Sequence, residues 1–355
     1  MHIFWSGFPG PCGGANTECW HTVKMLREAG VEVTMLPTEG AHLAGPLSPR
    51  PALESIGCKI IECNAMKLDE VPGLRDSVVV SMCNAWFMRA ATAFRERGCR
   101  VAWVNCMCAV RDEERVHYNH NGGRGVMDAY VFQSEYQRKQ LERTLVNFGY
   151  TPDRGHTIRG AFDVAEFPFQ PRAHDHREQF VLGRLARGAP DKWSTNWWPI
   201  CNRIPHPLRV RCMAWHPSVE RATGKPPKEL AVDLLPSCAE PSPAFLGSLH
   251  AMLQINGSVD ENWPRTGLEA MAAGVPVVAQ RQWGWKEMFR HGETGLLADP
   301  RWEYDELPGY VTRLAYDEDY RMEIVHAARK SVVEDLANPE NIWPKWRAML
   351  EGLGA

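Results

Sequence analysis

No apolar stretch of this 355-residue chain is long enough to cross a bilayer, which takes about 20 consecutive apolar residues. Stretches such as Val275–Ala279 are short, and Pro276 interrupts that one. The opening residues Met1-His2-Ile3-Phe4-Trp5 lack the basic region and apolar core of a signal peptide, so a cytoplasmic location is expected. Metal-ligand spacing is missing too. The eleven cysteines are scattered, and the one close pair, Cys106 and Cys108, has no second pair or neighbouring histidines. Reduced, partly buried thiols and no metal are therefore expected. There is no fixed-period repeat and no low-complexity tract. No G-x-G-x-x-G follows the first apolar segment, and Glu39 is an isolated loop acid, which excludes the dinucleotide fingerprint. Asp317-Glu318-Asp319 forms a D-x-D, but within a polar helical stretch that reads as a solvated face.

What the chain has is length for two domains and an uneven charge. The net charge of -3 hides a basic middle. Residues 171–228 carry eleven Lys/Arg against four Asp/Glu, and residues 229–355 carry eleven against twenty. Such a basic segment suits a phosphorylated ligand or a nucleic acid, or is a solvated surface.

Periodicity predicts a strand at His2–Trp5, a loop Gly7–Gly14, a helix over about Asn16–Ala29 and a strand Val31–Leu36. This order opens a doubly wound α/β sheet. Ser77–Met82, Val101–Val104 and Ala129–Phe132 continue it, with helices around Phe87–Arg97 and from Ser134 to about Phe148. The pattern breaks near Pro168–His176 and restarts at Phe180–Gly183. The expected division is residues 1–168, residues 169–336 and a final helical segment 337–355. In the second half, Arg209–Ala214 and Leu249–Asn256 suggest alternating strands and helices, Thr266–Ala273 is a helix, Val275–Ala279 a strand and Glu306–Leu336 mostly helical. Asp191–Pro207, rich in Trp, Asn and Pro, receives no assignment.

Glu261 and Glu269 stand eight positions apart, the first in a Pro-containing loop and the second early in a helix that Gly274 stops and Pro276 reinforces. The amides of Arg265, Thr266, Gly267 and Leu268 would project from that helix's N-terminus, an anion site suited to a diphosphate. Glu269 could then accept ribose hydroxyls, and Glu261 could reach a sugar on the phosphate. Taken alone, two acids near a helix start are better explained by the helix dipole.

The surrounding string changes that balance. Glu261, seven residues, Glu269, then Ala270-Met271-Ala272-Ala273-Gly274-Val275-Pro276-Val277 resembles the signature of the retaining, group 1 glycosyltransferases of the GT-B fold. Gly292-Glu293-Thr294-Gly295-Leu296-Leu297 is similar to the segment that follows in that family. The chain departs from the pattern after the first glutamate, where Asn262-Trp263-Pro264 stands in place of Gly-Phe-Gly. Gly183-Arg184-Leu185 followed by Lys192 resembles the family's diphosphate-neutralising Arg and Lys, here with three extra residues between them. Gly13-Gly14-Ala15 resembles its N-terminal glycine loop, and Ile158–Asp163 with Phe167 its entry into the linker. Gly284 and Trp285 fall in the loop near the donor sugar. Where the family often has a histidine, this chain has Asn105, and His117 and His120 lie further along what reads as a loop.

The resemblance implies two Rossmann-like domains facing an interdomain cleft, with the last helices, around Trp343–Leu353, crossing back to the N-terminal domain. It implies retaining transfer of a sugar from a nucleotide-diphosphate sugar, UDP-sugar favoured, to an acceptor hydroxyl without a metal. Glu261, Arg184 and Lys192 would be catalytic. Glu269, Arg265–Leu268, Gly13, Gly14, Gly284 and Trp285 would bind donor, and Asn105 and His117 would be on the acceptor side. The acceptor is open. The basic middle segment and several tryptophans allow a phage-type DNA glycosyltransferase that reads a flipped hydroxymethylated pyrimidine. The same fold also admits a nucleotide-sugar epimerase and a non-catalytic nucleotide-sugar-binding protein.

Overall fold

Parallel strands covered by helices on both faces read as unbroken apolar runs. Val78-Val79-Val80 and Val277-Val278-Ala279 are such runs, and all six residues are buried. In the computed structural model, which describes residues 1–10, 13–38, 43–63, 65–120 and 127–355, they belong to two separate sheets. Pro11 and Cys12 of the expected glycine loop, Glu39 and the His120 side chain lie outside what is described.

The first sheet contains β1 (His2–Ser6), β2 (Glu32–Leu36), β3 (Lys59–Ile60), β4 (Val78–Met82), β5 (Arg100–Val104), β6 (Ala129–Phe132) and β7 (Gly155–Thr157). Their order is β3-β2-β1-β4-β5-β6-β7, all parallel. The second contains β8 (Phe180–Leu185), β9 (Leu208–Met213), β10 (Ala231–Leu235), β11 (Ala251–Gln254), β12 (Val277–Gln280) and β13 (Leu296–Ala298), ordered β10-β9-β8-β11-β12-β13 and again parallel. Strand order reverses between β1 and β4, and between β8 and β11. At such a switch point the loops beyond the strands' carboxyl ends part and leave a crevice for ligands.

The chain forms two compact units, Met1–Phe162 with Pro339–Ala355, and Asp163–Asn338. Residues ahead of the Pro168–His176 break already fold with the second unit, as does the break itself: Gln170 donates its N–H to the Ala273 carbonyl at 3.0 Å. The helix Pro339–Leu353 buries Ile342, Trp346, Met349 and Leu350 in one core with Ile3, Trp5 and Val23. The Trp346 and Trp5 ring centroids are 6.5 Å apart.

Local chemistry sets the element ends. Gly13, at φ +102, starts the helix Gly14–Glu28 in a conformation that only glycine adopts cheaply. Ser134 caps the helix Glu135–Leu145 by accepting the Gln137 N–H at 3.1 Å. Gly274, at φ +86, ends the helix Arg265–Ala273 in the left-handed region. Asp317, from the D-x-D, caps the helix Glu318–Ser331 by accepting the Tyr320 N–H at 3.0 Å. The unassigned stretch Asp191–Pro207 contributes core: Trp193, Trp197, Trp198, Ile200 and Cys201 are buried, with Trp193 edge-on to Trp197 and Trp215. Nine described cysteines are free thiols, and Cys238 is disulfide-bonded, a departure from the all-reduced expectation.

At the amino ends of β8 and β11, His174 lies 4.7 Å from His250 and 5.4 Å from His206, ring centroid to centroid, around Phe180. His250 Nδ1 accepts the Val181 N–H at 2.8 Å, which requires that nitrogen to be unprotonated. Burial, then Arg172, His174 and Arg321, pull the His250 imidazole down to about 3. Burial and neighbouring cations also lower His174 and His206. The folded unit therefore binds fewer protons than the unfolded chain. Stability from these histidines is complete above pH 6.5 and is lost as pH falls below it, at up to about 1.4 kcal/mol per pH unit per histidine. Thermal unfolding between pH 7 and 5 should show the loss. His250→Asn, which keeps an acceptor for Val181, should flatten that slope.

Candidate functional site

The second unit's switch point brings together the loop after β8 and the loop after β11. Lys192 is on the first and Glu261 on the second, and Lys192 Nζ lies 2.8 Å from Glu261 Oε1. Both side chains keep less than a fifth of their surface exposed, at 19% and 17%. At that burial a charge pair is screened far less than on the open surface.

Both loops are held from beneath. Arg184 is fully buried, with its guanidinium 4.8 Å from the Trp193 ring centroid and 5.5 Å from that of Trp197. Its Nη1 donates to Gln254 Oε1 at 2.5 Å and its Nη2 to the Lys192 carbonyl. Gln254 Nε2 in turn donates to the Leu185 carbonyl at 3.0 Å. Burial lowers the guanidinium to about 10, so it stays charged at neutral pH. The Arg184 terminal nitrogens thus hold Gln254 and the backbone of Lys192, the loop residue that carries the second expected cation. Gly257 lets the loops meet, since a Cβ there would stand 2.7 Å from the Asp191 carbonyl oxygen and 2.8 Å from that of Trp193.

The Glu261 loop has a second anchor. The Gly284 N–H donates to the Glu261 carbonyl at 2.8 Å. A Cβ on Gly284 would lie 1.8 Å from the Asn262 carbonyl oxygen, a backbone collision. Gly284→Ala should therefore displace Glu261 and lower the melting temperature, at a cost of about 1–3 kcal/mol. A crystal structure of the variant with an unmoved Glu261 loop would contradict this. Farther back, the Gln280 Oε1 accepts the Asn256 N–H at 3.1 Å and its Nε2 donates to Glu303 Oε2 at 2.6 Å. Asn196 donates to the other Glu303 oxygen at 2.7 Å. Sequence reasoning missed Gln254, Gln280 and Glu303. The available signal was a polar residue closing each of the apolar strands β11 and β12.

Glu269 falls in the second turn of its helix, which starts at Arg265, and not in the first. It is 6% exposed, and burial raises its carboxyl to about 6 against the opposing charge of Arg265. Thr266 occupies the second helical position, where amides point out of the helix. The Gly267 amide is not available in that way, because it donates to the Pro264 carbonyl at 2.9 Å. Gly267 serves packing: a Cβ there would meet Met288 and Trp285. Leu268 is wholly buried, and Trp285, 1% exposed, packs beneath the helix.

The remaining candidates belong to the first unit. Gly13 caps and Gly14 opens the helix that follows β1. Asn105, 4% exposed, is occupied by its own loop: Nδ2 donates to Glu114 Oε1 at 3.2 Å, and Oδ1 accepts the Met107 N–H at 2.7 Å. His117 is buried on the helix Asp112–His120 and not on a loop. Glu114 also accepts from Trp103 Nε1 at 2.7 Å, and burial raises its carboxyl to about 7. Among the described residues no group of three or more His, Cys, Asp or Glu could hold a metal ion. No helix among them is long and apolar enough to cross a membrane.

Two parallel α/β units of this order define the GT-B glycosyltransferase architecture. The chain aligns over its full length with the crystal structure of Anabaena HepE in complex with UDP and glucose, at TM-score 0.70 and 15% identity, covering 99% of that chain. It aligns equally fully with sucrose-phosphate synthase from Thermosynechococcus elongatus, at 0.66 and 16%, covering 97%. A glycosyltransferase from Rickettsia africae aligns over 99% of this chain and 98% of its own, at 0.71 and 14%. Residues 243–331 match the family model of the glycosyl transferases group 1, the family that the Glu261–Asp299 stretch resembles. No curated protein sequence matches the chain.

Proposed function

We propose that the protein transfers a sugar from UDP-sugar to an acceptor hydroxyl with retention at the anomeric carbon. The observation that carries this reading is the largely buried Lys192–Glu261 pair at the β8/β11 switch point, with Glu261 inside the family match. Lys192 offers a cation to the donor diphosphate, whose leaving oxygen gains charge in the transition state. Glu261 offers a carboxylate to the donor sugar's hydroxyls. Glu269 lies deeper on the helix and is assigned to the ribose. Uridine is favoured because the HepE structures contain UDP with glucose and UDP-glucose. The cation takes the place a divalent metal holds in other transferases.

Paired charges in the basic segment weigh against DNA as acceptor. Arg177, Arg187, Lys192, Arg203, Arg209 and Arg211 are each ion-paired, most of them to carboxylates outside the segment such as Asp233, Glu240, Glu261 and Asp305. Charge already neutralised within the fold releases few counterions from a polyanion.

A screen of nucleotide sugars against acceptors that include hydroxymethylated DNA tests the reading. Transfer from a UDP-sugar to an added acceptor supports it. Interconversion of the free donor identifies an epimerase, and donor binding without turnover identifies a binding protein. Glu269→Ala should weaken UDP itself by about 10- to 100-fold, the worth of hydrogen bonds to a charged acceptor. Calorimetric titration of UDP reads this directly, and unchanged affinity in the folded variant removes Glu269 from the ribose.

A further inference from the structure

Two cysteines that the proposed reaction leaves unused meet at the carboxyl edge of the first sheet. Strands β4 and β5 pair in register through Met82 and Val104, so Cys83 and Cys106 stand just beyond the ends of adjacent strands. Neighbouring strands lie about 4.8 Å apart, and Cys106 is one residue beyond the position opposite Cys83. Cys83 adopts φ +47, a left-handed conformation uncommon for a side-chain-bearing residue. The geometry is held by the Cys83 N–H, which donates to the Val104 carbonyl at 3.0 Å, and by Arg111, which donates to the Cys83 carbonyl at 3.3 Å. As a result the Cys83 sulfur accepts the Cys106 backbone N–H at 2.9 Å. Both residues are free thiols and partly exposed.

We propose that Cys83 and Cys106 form a reversible redox pair, with Cys83 attacking a peroxide and Cys106 closing the disulfide. The roles follow from the hydrogen bonds. The Cys106 backbone N–H reaches the Cys83 sulfur and holds it beside Cys106, and a thiolate is the form that attacks. The hydrogen bond between the two thiols, then burial, keeps the proton on Cys106, and Gln133 Nε2 approaches its sulfur at 3.8 Å. In the first step the Cys83 thiolate attacks hydrogen peroxide. The O–O bond breaks, an S–O bond forms, and hydroxide leaves with Cys83 as its sulfenic acid. In the second, the Cys106 sulfur attacks that sulfur, an S–S bond replaces the S–O bond, and water leaves with the Cys106 proton. Two sulfurs each give up one electron and the peroxide is reduced. A thiol reductant reverses the change through a mixed disulfide. The bridge would tie the end of β4 to the loop that Asn105 organises.

Peptide mapping of the full chain after treatment with hydrogen peroxide, followed by alkylation and trypsin, tests this. Trypsin places Cys83 in residues 76–89, and Cys106 with Cys108 in residues 101–111. The expected product is a cross-link between those two peptides, lost on treatment with dithiothreitol. It should be absent in Cys83→Ser and Cys106→Ser and retained in Cys108→Ser. Independent alkylation of both peptides in the peroxide-treated wild-type chain overturns the proposal without requiring any variant to fold. Persistence of the cross-link in Cys106→Ser overturns the assignment of Cys106. None of these readouts depends on sugar transfer.

Discussion

Lys192→Ala should lower turnover by about 10²- to 10³-fold, the cost of removing one preorganised charge-stabilising group. The same variant should bind UDP more weakly while binding uridine almost as well, because the lost contact belongs to the phosphates. Added chelator should change the wild-type rate little. Complete loss of activity in chelator, restored by a divalent ion, would overturn the assignment of Lys192. The expectation rests on how firmly Lys192 is held. The Asp191 carbonyl beside it accepts the Val259 N–H at 3.2 Å, and its own carbonyl accepts from Arg184. A cation fixed in this way needs little reorganisation as charge develops on the leaving oxygen. Arg184→Ala should behave differently. It empties a site between Trp193 and Trp197 and strips Gln254 and the Lys192 carbonyl of their donors. Its main effect should be a fall in melting temperature, on the scale of a large core truncation.

That contrast marks where the sequence stops being readable. The Gly183-Arg184-Leu185 string and Lys192 are legible as a pair of cations, but nothing local says which one faces outward. The tryptophans that enclose Arg184 come from the stretch Asp191–Pro207, where Pro and Asn obscure any period. The basic segment is legible as composition alone. Its partners Asp233, Glu240, Glu261 and Asp305 lie far along the chain, and long-range pairing leaves no local pattern. Strand β10 escaped for a related reason: Asp233 interrupts Ala231–Leu235, and its carboxylate is taken up by Arg209 and Arg211 on β9. Strand β3, with two residues, is too short for alternation to register. By contrast β1, β4, β5 and β12 were readable, because burial on both faces selects continuous apolar residues. Gly274 and Ser134 were readable because stops and caps have a chemistry of their own. Asn105, Trp285 and Gly267 also make loop and packing contacts that their motif positions do not announce.

Glu261→Gln should reduce turnover by about 10²- to 10³-fold while leaving UDP affinity intact or raised. The Glu261 carboxylate holds the Lys192 ammonium at 2.8 Å, so on the proposed assignment it competes with a diphosphate for that cation. The neutral amide removes the competitor and also weakens the grip on the donor sugar. On the proposed assignment the carboxylate's contribution is made to the sugar and not to the nucleotide. Retention, as proposed above, needs no base on the face opposite the leaving group: the acceptor hydroxyl is expected on the leaving-group side, with the departing phosphate oxygen taking its proton, which keeps the anomeric configuration. An α-linked donor should give an α-linked product by NMR of the anomeric centre. A β-linked product would overturn retention while leaving the fold and the family match untouched.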